Sequence, residues 1–437
     1  MVENVEQTNT APAEDLLKKK PKSDPYIIGL FFFLLIVSVV ESFSASSREI
    51  SDAGSIYMPF IKHCVFLGGA TIAMFAVQRI HYSKLVLPSL IFGVITFFIM
   101  IYILFFGGTV NGAQRALRLG PITIQSVEMA KLSVVFLLAY FLSRNIHNNT
   151  ISNKGLIWCV SIVTIFGVIL ILQGMTNTIL FMCISFSMLI IGRISFKNLM
   201  KIIGIYAIVI ALLLFIKGKI DEYQLEKLDE DHIETVAGKA EESKLRDATW
   251  GKRLEKFFSN HTDSVPLYEK EITPDNQQEM YAYMAQANGR VFGVLPGNSR
   301  ESSRLPLAFS DYVYSIIVED WGFFGGTLLC LAFFILLIRA GNIARKCKRA
   351  YPAFLVMGAA VMIVLQAYFH IAINVGFFPV SGQTLPMISK GGSAILICGA
   401  TFGVILSVSR SVNMENEKNK DKTVVPESIS AANPTKE

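Results

Sequence analysis

The sequence predicts an all-α integral membrane protein of about ten transmembrane helices, with one long extracytoplasmic loop between the seventh and eighth. Three observations predict it. Of the 437 residues, 52% are hydrophobic and 17% charged, with a mean hydropathy of +0.48, too apolar for a soluble globular chain of this length. The apolar residues gather into blocks of roughly 18 to 25, the length an α-helix needs to cross a hydrocarbon core of about 30 Å. The period-two alternation of a membrane barrel is missing, so backbone groups in lipid must be satisfied within helices.

The chain opens on a polar segment ending in Lys18, Lys19, Lys20 and Lys22. It carries no small-residue cleavage pattern, so residues 1–25 are expected as a cytoplasmic tail ahead of an uncleaved first span from Tyr26 to Phe43. Spans two (Pro59 to Val77) and three (Leu85 to Phe106) are joined by a basic turn carrying Arg79, His81 and Lys84. Span four begins near Gln125 and ends at Arg144, span five covers Leu156 to Leu172 and span six Thr178 to Ile191. Arg144 and Lys154 mark one inner turn, and Arg193, Lys197 and Lys201 the next, which sends span seven (Ile202 to Ile216) outward. A long insertion dense in both charge signs follows, placed outside over 217–307. Its first half is expected as exposed helix with Glu and Lys pairs a turn apart. Span eight (Tyr312 to Ile338) leads to Arg339, Arg345, Lys346, Lys348 and Arg349, the strongest inner signal. Spans nine (Ala353 to Phe377) and ten (Gly391 to Val408) complete a polytopic domain over 26–410, and 411–437 is expected as a disordered cytoplasmic tail.

Composition also excludes classes. The formal charge of +6 comes from basic residues in short loops between spans, where they set topology; nucleic acid is not a predicted partner. Cys64, Cys159, Cys183, Cys330 and Cys398 lie in apolar spans and Cys347 in a basic loop, without a C-x-x-C pair, so they are expected to pack.

Polar residues at membrane depth are costly, so the polar clusters at outer helix ends are the functional candidates. The first holds Asn111, Arg115, Arg118, Gln125, Glu128 and Lys131. Its arginines are either headgroup contacts or ligand contacts, and Glu128 and Lys131 stand at i,i+3, the spacing of a helical ion pair. The second is the end of the long loop, where Gly289, Gly293, Pro296 and Gly297 make a turn able to present backbone amides to an anion. The third opens span eight: Asp311, Ser315 and Glu319 are four residues apart and form one helical stripe, with Asp320 on the opposite face. Asp311 is either a functional carboxylate or an N-terminal cap beside Ser310. The fourth places Gln366, His370 and Asn374 on one stripe before a Pro/Gly-broken loop ending in Lys390, Gly391, Gly392 and Ser393. No second His or Cys has ligand spacing to His370, so a packing hydrogen bond is expected there in preference to a metal bond.

Together these motifs resemble the SEDS proteins (shape, elongation, division and sporulation), the FtsW, RodA and SpoVE group of bacterial cell-wall polymerases. The resemblance rests on SASS at Ser44 to Ser47, NGAQR at Asn111 to Arg115, QSVEMAK at Gln125 to Lys131 and PGNS at Pro296 to Ser299. It continues in LPLAFSDYVYSIIVEDWGFFG at Leu305 to Gly325 and PVSGQTLPMISKGGS at Pro379 to Ser393. It covers Tyr26 to Arg410 and is closer to the FtsW branch than to RodA. Val127 stands where the family usually has Pro, His370 where it usually has Asn and Lys390 where it usually has Tyr. QGMTNT at Gln173 to Thr178 lacks the family's Asp, so no role carries over there.

The resemblance implies a peptidoglycan glycosyltransferase that polymerises lipid II during cell division, releasing undecaprenyl diphosphate. Diphosphate is a good leaving group, so one carboxylate and a few cations suffice for such a reaction. Asp311 matches the family's essential aspartate and is the catalytic candidate. Arg115, Arg118 and Lys131 are the candidate diphosphate clamp, with Glu128, Gln125, Ser299, Lys390 and Ser393 as further substrate-binding candidates. The sequence offers no protein metal site and no tightly bound cofactor is expected; Mg²⁺ or Mn²⁺ would arrive with the substrate diphosphate. The implied partners are lipid II, the membrane, an FtsI-like class B penicillin-binding protein and other divisome proteins, and the implied place is the bacterial inner membrane at the septum. A lipid II flippase, a RodA-type elongation polymerase and a secondary transporter are the competing readings; the last would typically show an internal repeat, and none is seen.

Overall fold

The computed structural model describes residues 23–45, 57–106, 108–110, 113–119, 122–147, 150–209, 269–273, 276–306 and 308–424. The helix expected in the first half of the long insertion, and the end of the seventh span, lie outside the described residues.

Helix α1 (Pro25–Ser44) begins where the sequence provides a start signal: Asp24 accepts from the backbone N–H groups of Tyr26 and Ile27, and proline fills the first turn. Then come α2 (Tyr57–Arg79) and α3 (Val86–Phe106), joined by a 3₁₀ turn at Tyr82–Leu85. α4 (Ser126–Arg144), α5 (Asn153–Gln173) and α6 (Met175–Ile191) follow, and α7 is described over 196–209. After the insertion come α8 (Gln277–Gly289), α9 (Val313–Lys346), α10 (Ala350–Asn374) and α11 (Gly392–Val424).

Eight helices among the described residues are long and apolar enough to cross a membrane, and α6 is a shorter apolar helix. The all-α membrane class holds for the bundle, and the chain is a multi-pass membrane protein. A tenth span depends on α7, whose continuation is outside the described residues. Two differences from the sequence expectation stand out. The last span does not stop at Val408 but continues as helix to Val424, through the start of the expected tail. The outer cluster after α3 forms a small antiparallel sheet, β1 (Gly108–Val110), β2 (Ala113–Leu119) and β3 (Ile122–Gln125), in that order.

Burial separates the helices into two sets. The apolar windows of α10 and α11 are 78% buried and that of α4 72%, whereas α2 has only 22% buried and offers Tyr57, Met58, Ile61, Val65 and Ile72 to the surroundings. The first set is the centre of the bundle and the second its lipid-facing wall. Lipid gives no hydrophobic drive between helices, so contact depends on close packing. On α11, Gly399 and Gly403 are four residues apart and lie against the α2 backbone; a Cβ on Gly399 would sit 2.4 Å from the Ala70 carbonyl oxygen.

Two polar ties fix α1 on α9. At one end Arg339 pairs with Asp24 at 2.6 Å and covers the Tyr26 ring at 4.1 Å. At the other, the Trp321 indole donates to Glu41 at 2.7 Å. The tie residues run in opposite order along the two helices, so α1 and α9 are antiparallel.

The α9 helix, expected as one continuous span, is broken at Gly322 (φ 69°, ψ −173°). Its backbone there pairs with the end of the long loop. Val294 and Leu295 N–H donate to the carbonyls of Glu319 and Asp320, and Phe323 and Phe324 N–H to those of Arg290 and Val291. The approach tolerates no side chain: a Cβ on Gly322 would lie 2.3 Å from the Val291 oxygen and one on Gly293 2.2 Å from the Asp320 oxygen. Backbone freed by the break is thus satisfied by protein, the condition for irregular structure at membrane depth.

Candidate active site

The site is organised by the connection between α10 and α11, residues 375–391. Much of this loop is buried, including Ser381, Gln383, Thr384, Leu385, Met387, Ile388 and Ser389. A buried loop must have its polar backbone satisfied, and side chains of α10 do this. The Gln366 amide donates to Thr384 O (3.1 Å) and Oγ1 (3.2 Å), and His370 Nδ1 donates to Gln383 O at 2.7 Å. Inside the loop the Leu385 N–H donates to Ser389 Oγ at 2.8 Å. The hydrogen bond expected of His370 is therefore present, made to the loop instead of a neighbouring helix.

Asp311 lies in the turn before α9, not on the helix, so it does not share a helical stripe with Ser315 and Glu319. The cause is visible at the helix start. Tyr312 occupies the cap position without a side-chain capping hydrogen bond to the helix, and Asn374 Oδ1, from α10, accepts the Ser315 N–H (3.1 Å) and hydroxyl (3.0 Å). Capping is supplied from another helix. The same Asn374 donates from Nδ2 to the Asp311 carbonyl at 3.1 Å, the Ser389 hydroxyl donates to Ser310 O at 2.7 Å, and the Lys390 N–H donates to Phe309 O at 3.0 Å. The Asp311 backbone is thus held by α10 on one side and by the 375–391 loop on the other. Its carboxylate is half-buried, accepts from the Ser310 hydroxyl at 2.9 Å and faces Gly382, where an added Cβ would come within 3.4 Å of Oδ2. Lys390 Nζ lies 5.3 Å above the Phe309 ring, two residues before Asp311.

Glu128 and Lys131 form a second cluster. Lys131 Nζ bonds Glu128 Oε1 at 2.7 Å and Gln366 Oε1 at 2.8 Å, and Lys131 is fully buried. Gln366 passes the network on to Thr384. The i,i+3 ion pair anticipated from spacing is therefore present, with the ammonium bonded to two protein acceptors.

The remaining candidates separate. The Gln125 N–H donates to Ser393 Oγ at 3.0 Å, joining β3 and α4 to the start of α11. The Ser299 hydroxyl is engaged by Glu319 and by the Ser302 N–H, away from these two clusters in the hydrogen-bond pattern. Arg115 and Arg118 lie in β2, with Arg118 opposite Thr123 in the ladder; their side chains fall outside the described residues. Asn177, to which no role was carried over, accepts from the Gln383 amide, and Gln173 accepts from the Ser126 hydroxyl at 2.8 Å. The QGMTNT segment thus braces the same loop without an acidic residue. Glu319 and Asp320 do face opposite ways, Glu319 to the long loop and Asp320 toward Glu41 and Ser44 of α1.

Among the described residues no three Asp, Glu, His or Cys side chains converge as a metal cage. Asp311 offers a single carboxylate and Glu128 Oε1 is held by Lys131, so the donor set does not fit a protein-only divalent site.

With this geometry in place, comparison with known proteins is decisive on ancestry. The profile of the cell cycle protein family that unites FtsW, RodA and SpoVE matches residues 25–414. The chain belongs to this family. Stage V sporulation protein E of Bacillus subtilis is 28% identical over 399 residues, covering 90% of this chain and 98% of that protein. A probable peptidoglycan glycosyltransferase FtsW of Enterococcus hirae is 27% identical over 418 residues, covering 92% and 95%. Thermus thermophilus rod shape determining protein RodA shares the FtsW/RodA/SpoVE fold at a TM-score of 0.60 and 19% identity, covering 89% of this chain and 97% of that one. A chain of a peptidoglycan synthase complex described for coordinated polymerization and crosslinking matches at 0.64 and 20% identity, covering 89% and 98%.

Proposed function

We propose that this FtsW/RodA/SpoVE family member is a peptidoglycan glycosyltransferase that polymerises lipid II. The observation that carries the proposal is Asp311: a half-buried carboxylate on a non-helical turn, braced through its backbone from α10 and from the 375–391 loop, with Lys390 adjoining. Relatives matching 88% and 92% of this chain bear the name probable peptidoglycan glycosyltransferase FtsW.

In the proposed reaction the GlcNAc 4-hydroxyl of one lipid-linked disaccharide attacks the anomeric carbon of another chain's MurNAc. The new C–O bond forms as the bond to undecaprenyl diphosphate breaks, and the hydroxyl proton passes to the Asp311 carboxylate. Asp311 is braced and need not reorganise, the condition under which positioning contributes most. Charge developing on the diphosphate is met by Lys390 and by Arg115 and Arg118 from β2. Lys131, Glu128 and Gln366 act indirectly by holding the loop, while Gln125 and Ser393 hold the start of α4 on the start of α11. A Mg²⁺ or Mn²⁺ ion, if used, enters with the diphosphate.

A class B penicillin-binding protein that crosslinks the glycan is the proposed partner, with the septum as site of action and both termini cytoplasmic. The test is purified protein in nanodiscs with fluorescent lipid II and the partner transpeptidase. A glycan ladder is expected from the wild type and none from Asp311→Ala, which still binds lipid II. Absence of polymer from the wild type, together with lipid II translocation in vesicles, would overturn the reading in favour of a flippase. A fluorescent fusion along the side wall in place of midcell would assign the elongation role.

A further inference from the structure

Among the buried acids to which the reaction proposed above gives no role, Glu319 has the densest set of donors. Glu319, on the outer segment of α9 and 1% exposed, gathers donors from the end of the long loop. Its Oε2 accepts the Ser299 hydroxyl at 2.5 Å and the Glu301 N–H at 3.3 Å. Its Oε1 accepts the Arg300 N–H at 3.2 Å, the Glu301 N–H at 3.4 Å and the Asn288 amide at 3.3 Å. Consecutive backbone N–H groups on one carboxylate form an anion nest of the kind that usually receives a ligand, and here the anion belongs to the chain. Ser299 in turn accepts the Ser302 N–H at 3.1 Å, and the Leu305 N–H bonds the Glu301 carbonyl at 2.8 Å. Order therefore runs from the nest into the fully buried Leu305.

The topology makes this more than a local contact. Ser299 and Glu319 are 20 residues apart, and Asp311 lies between them. The chain leaves the nest, passes Leu305, reaches the Asp311 turn, enters α9 and returns through Glu319 to the nest. Backbone pairs between 290–295 and 319–324 already hold the two limbs together; the Glu319 carboxylate adds the side-chain tie that fixes residues 299–302 inside this ring, and without it that stretch regains conformational freedom.

We infer that Glu319 is a positioning residue for the glycosyl transfer: it fixes residues 299–302 upstream of the Asp311 turn so that this turn meets the acceptor hydroxyl in one geometry. This rests on the polymerase reading and adds a residue to it. A displacement of about 1 Å at a reacting group costs on the order of 100-fold in rate, so the effect belongs in kcat and not in lipid II affinity.

The experiment uses the full-length protein in nanodiscs with its partner transpeptidase, lipid II polymerisation kinetics and amide hydrogen exchange. Glu319→Ala is expected to lower kcat by roughly 10- to 100-fold with KM changed less than about threefold. Glu319→Gln, which keeps one acceptor oxygen, is expected to recover part of that loss. Exchange should quicken at Arg300, Glu301 and Ser302 while α10 and α11 are unchanged. Added to Asp311→Asn, Glu319→Ala should cost less than about threefold more, because positioning matters only while the carboxylate is there. Wild-type kcat in Glu319→Ala would overturn the inference, and so would exchange that quickens throughout the bundle or a full additive loss in the double variant. If the wild type itself makes no polymer, the polymerase reading fails, and unchanged exchange at 300–302 in Glu319→Ala separately removes the anchor.

Discussion

Two charged regions attach to the same 375–391 loop and are built in opposite ways. Around Lys131 the ammonium is fully buried and bonded to Glu128 and Gln366, which leads to Thr384. At Asp311 the backbone is bonded from two sides while the carboxylate remains half-buried beside Gly382. A buried charge is tolerated only when it is paired, so the first region is paired and stabilises the loop. The second leaves an acid at an accessible boundary, where proton transfer to a substrate is possible. Both carry the polar side chains that mark function in a membrane chain; they differ in burial and in what the fold is shown to hold, the ammonium itself at Lys131 and the backbone at Asp311.

The largest effect that tests this contrast is chemical. Asp311→Asn should lower polymerisation by at least about 100-fold, the range for loss of a general base, with an unchanged unfolding temperature in detergent. A parallel loss of stability would make Asp311 a brace as well. Next is the opposite profile: Lys131→Met leaves Glu128 uncompensated and should destabilise by on the order of 3 kcal/mol, read as a lowered unfolding temperature. The double variant with Glu128→Gln should regain part of it; a Lys131→Met protein as stable as wild type would break the comparison. Gly322→Ala should follow, because φ of 69° and a Cβ 2.3 Å from the Val291 oxygen impose strain of about 1–3 kcal/mol. Its signature is faster hydrogen exchange at residues 290–295. The smallest change is Gly382→Ala, whose Cβ would meet Asp311 Oδ2 at an ordinary 3.4 Å. Stability should be unaffected and the polymerisation rate lowered by less than about tenfold, near 1 kcal/mol of barrier; a larger loss would show that the substrate passes at Gly382.

Much of this was legible in the chain. The apolar blocks gave α1 to α6 and α10 to within a few residues at their ends, because lipid demands continuous helix of fixed length. The Glu128 and Lys131 pair followed from i,i+3 spacing, and the opposed directions of Glu319 and Asp320 from helical geometry. The break at Gly322 was not legible, since its cause is the approach of Gly293 from across the fold. Nor was the capping of α9 by Asn374, for a sequence scan seeks the cap immediately before the helix. The β1–β3 sheet escaped because short polar strands carry no strong alternation.

By itself the sequence determined a multi-pass helical membrane protein, its family motifs and Asp311 as the residue to watch. Those are local properties: hydropathy, spacing and residue type. Tertiary structure alone decided that Asp311 sits on a turn, that Lys131 is sealed into a brace and that Glu319 of α9 ties back to Ser299, 20 residues earlier in the chain. Each depends on partners distant in the chain, and whether a charged group in a membrane protein holds structure or meets substrate is fixed by those partners.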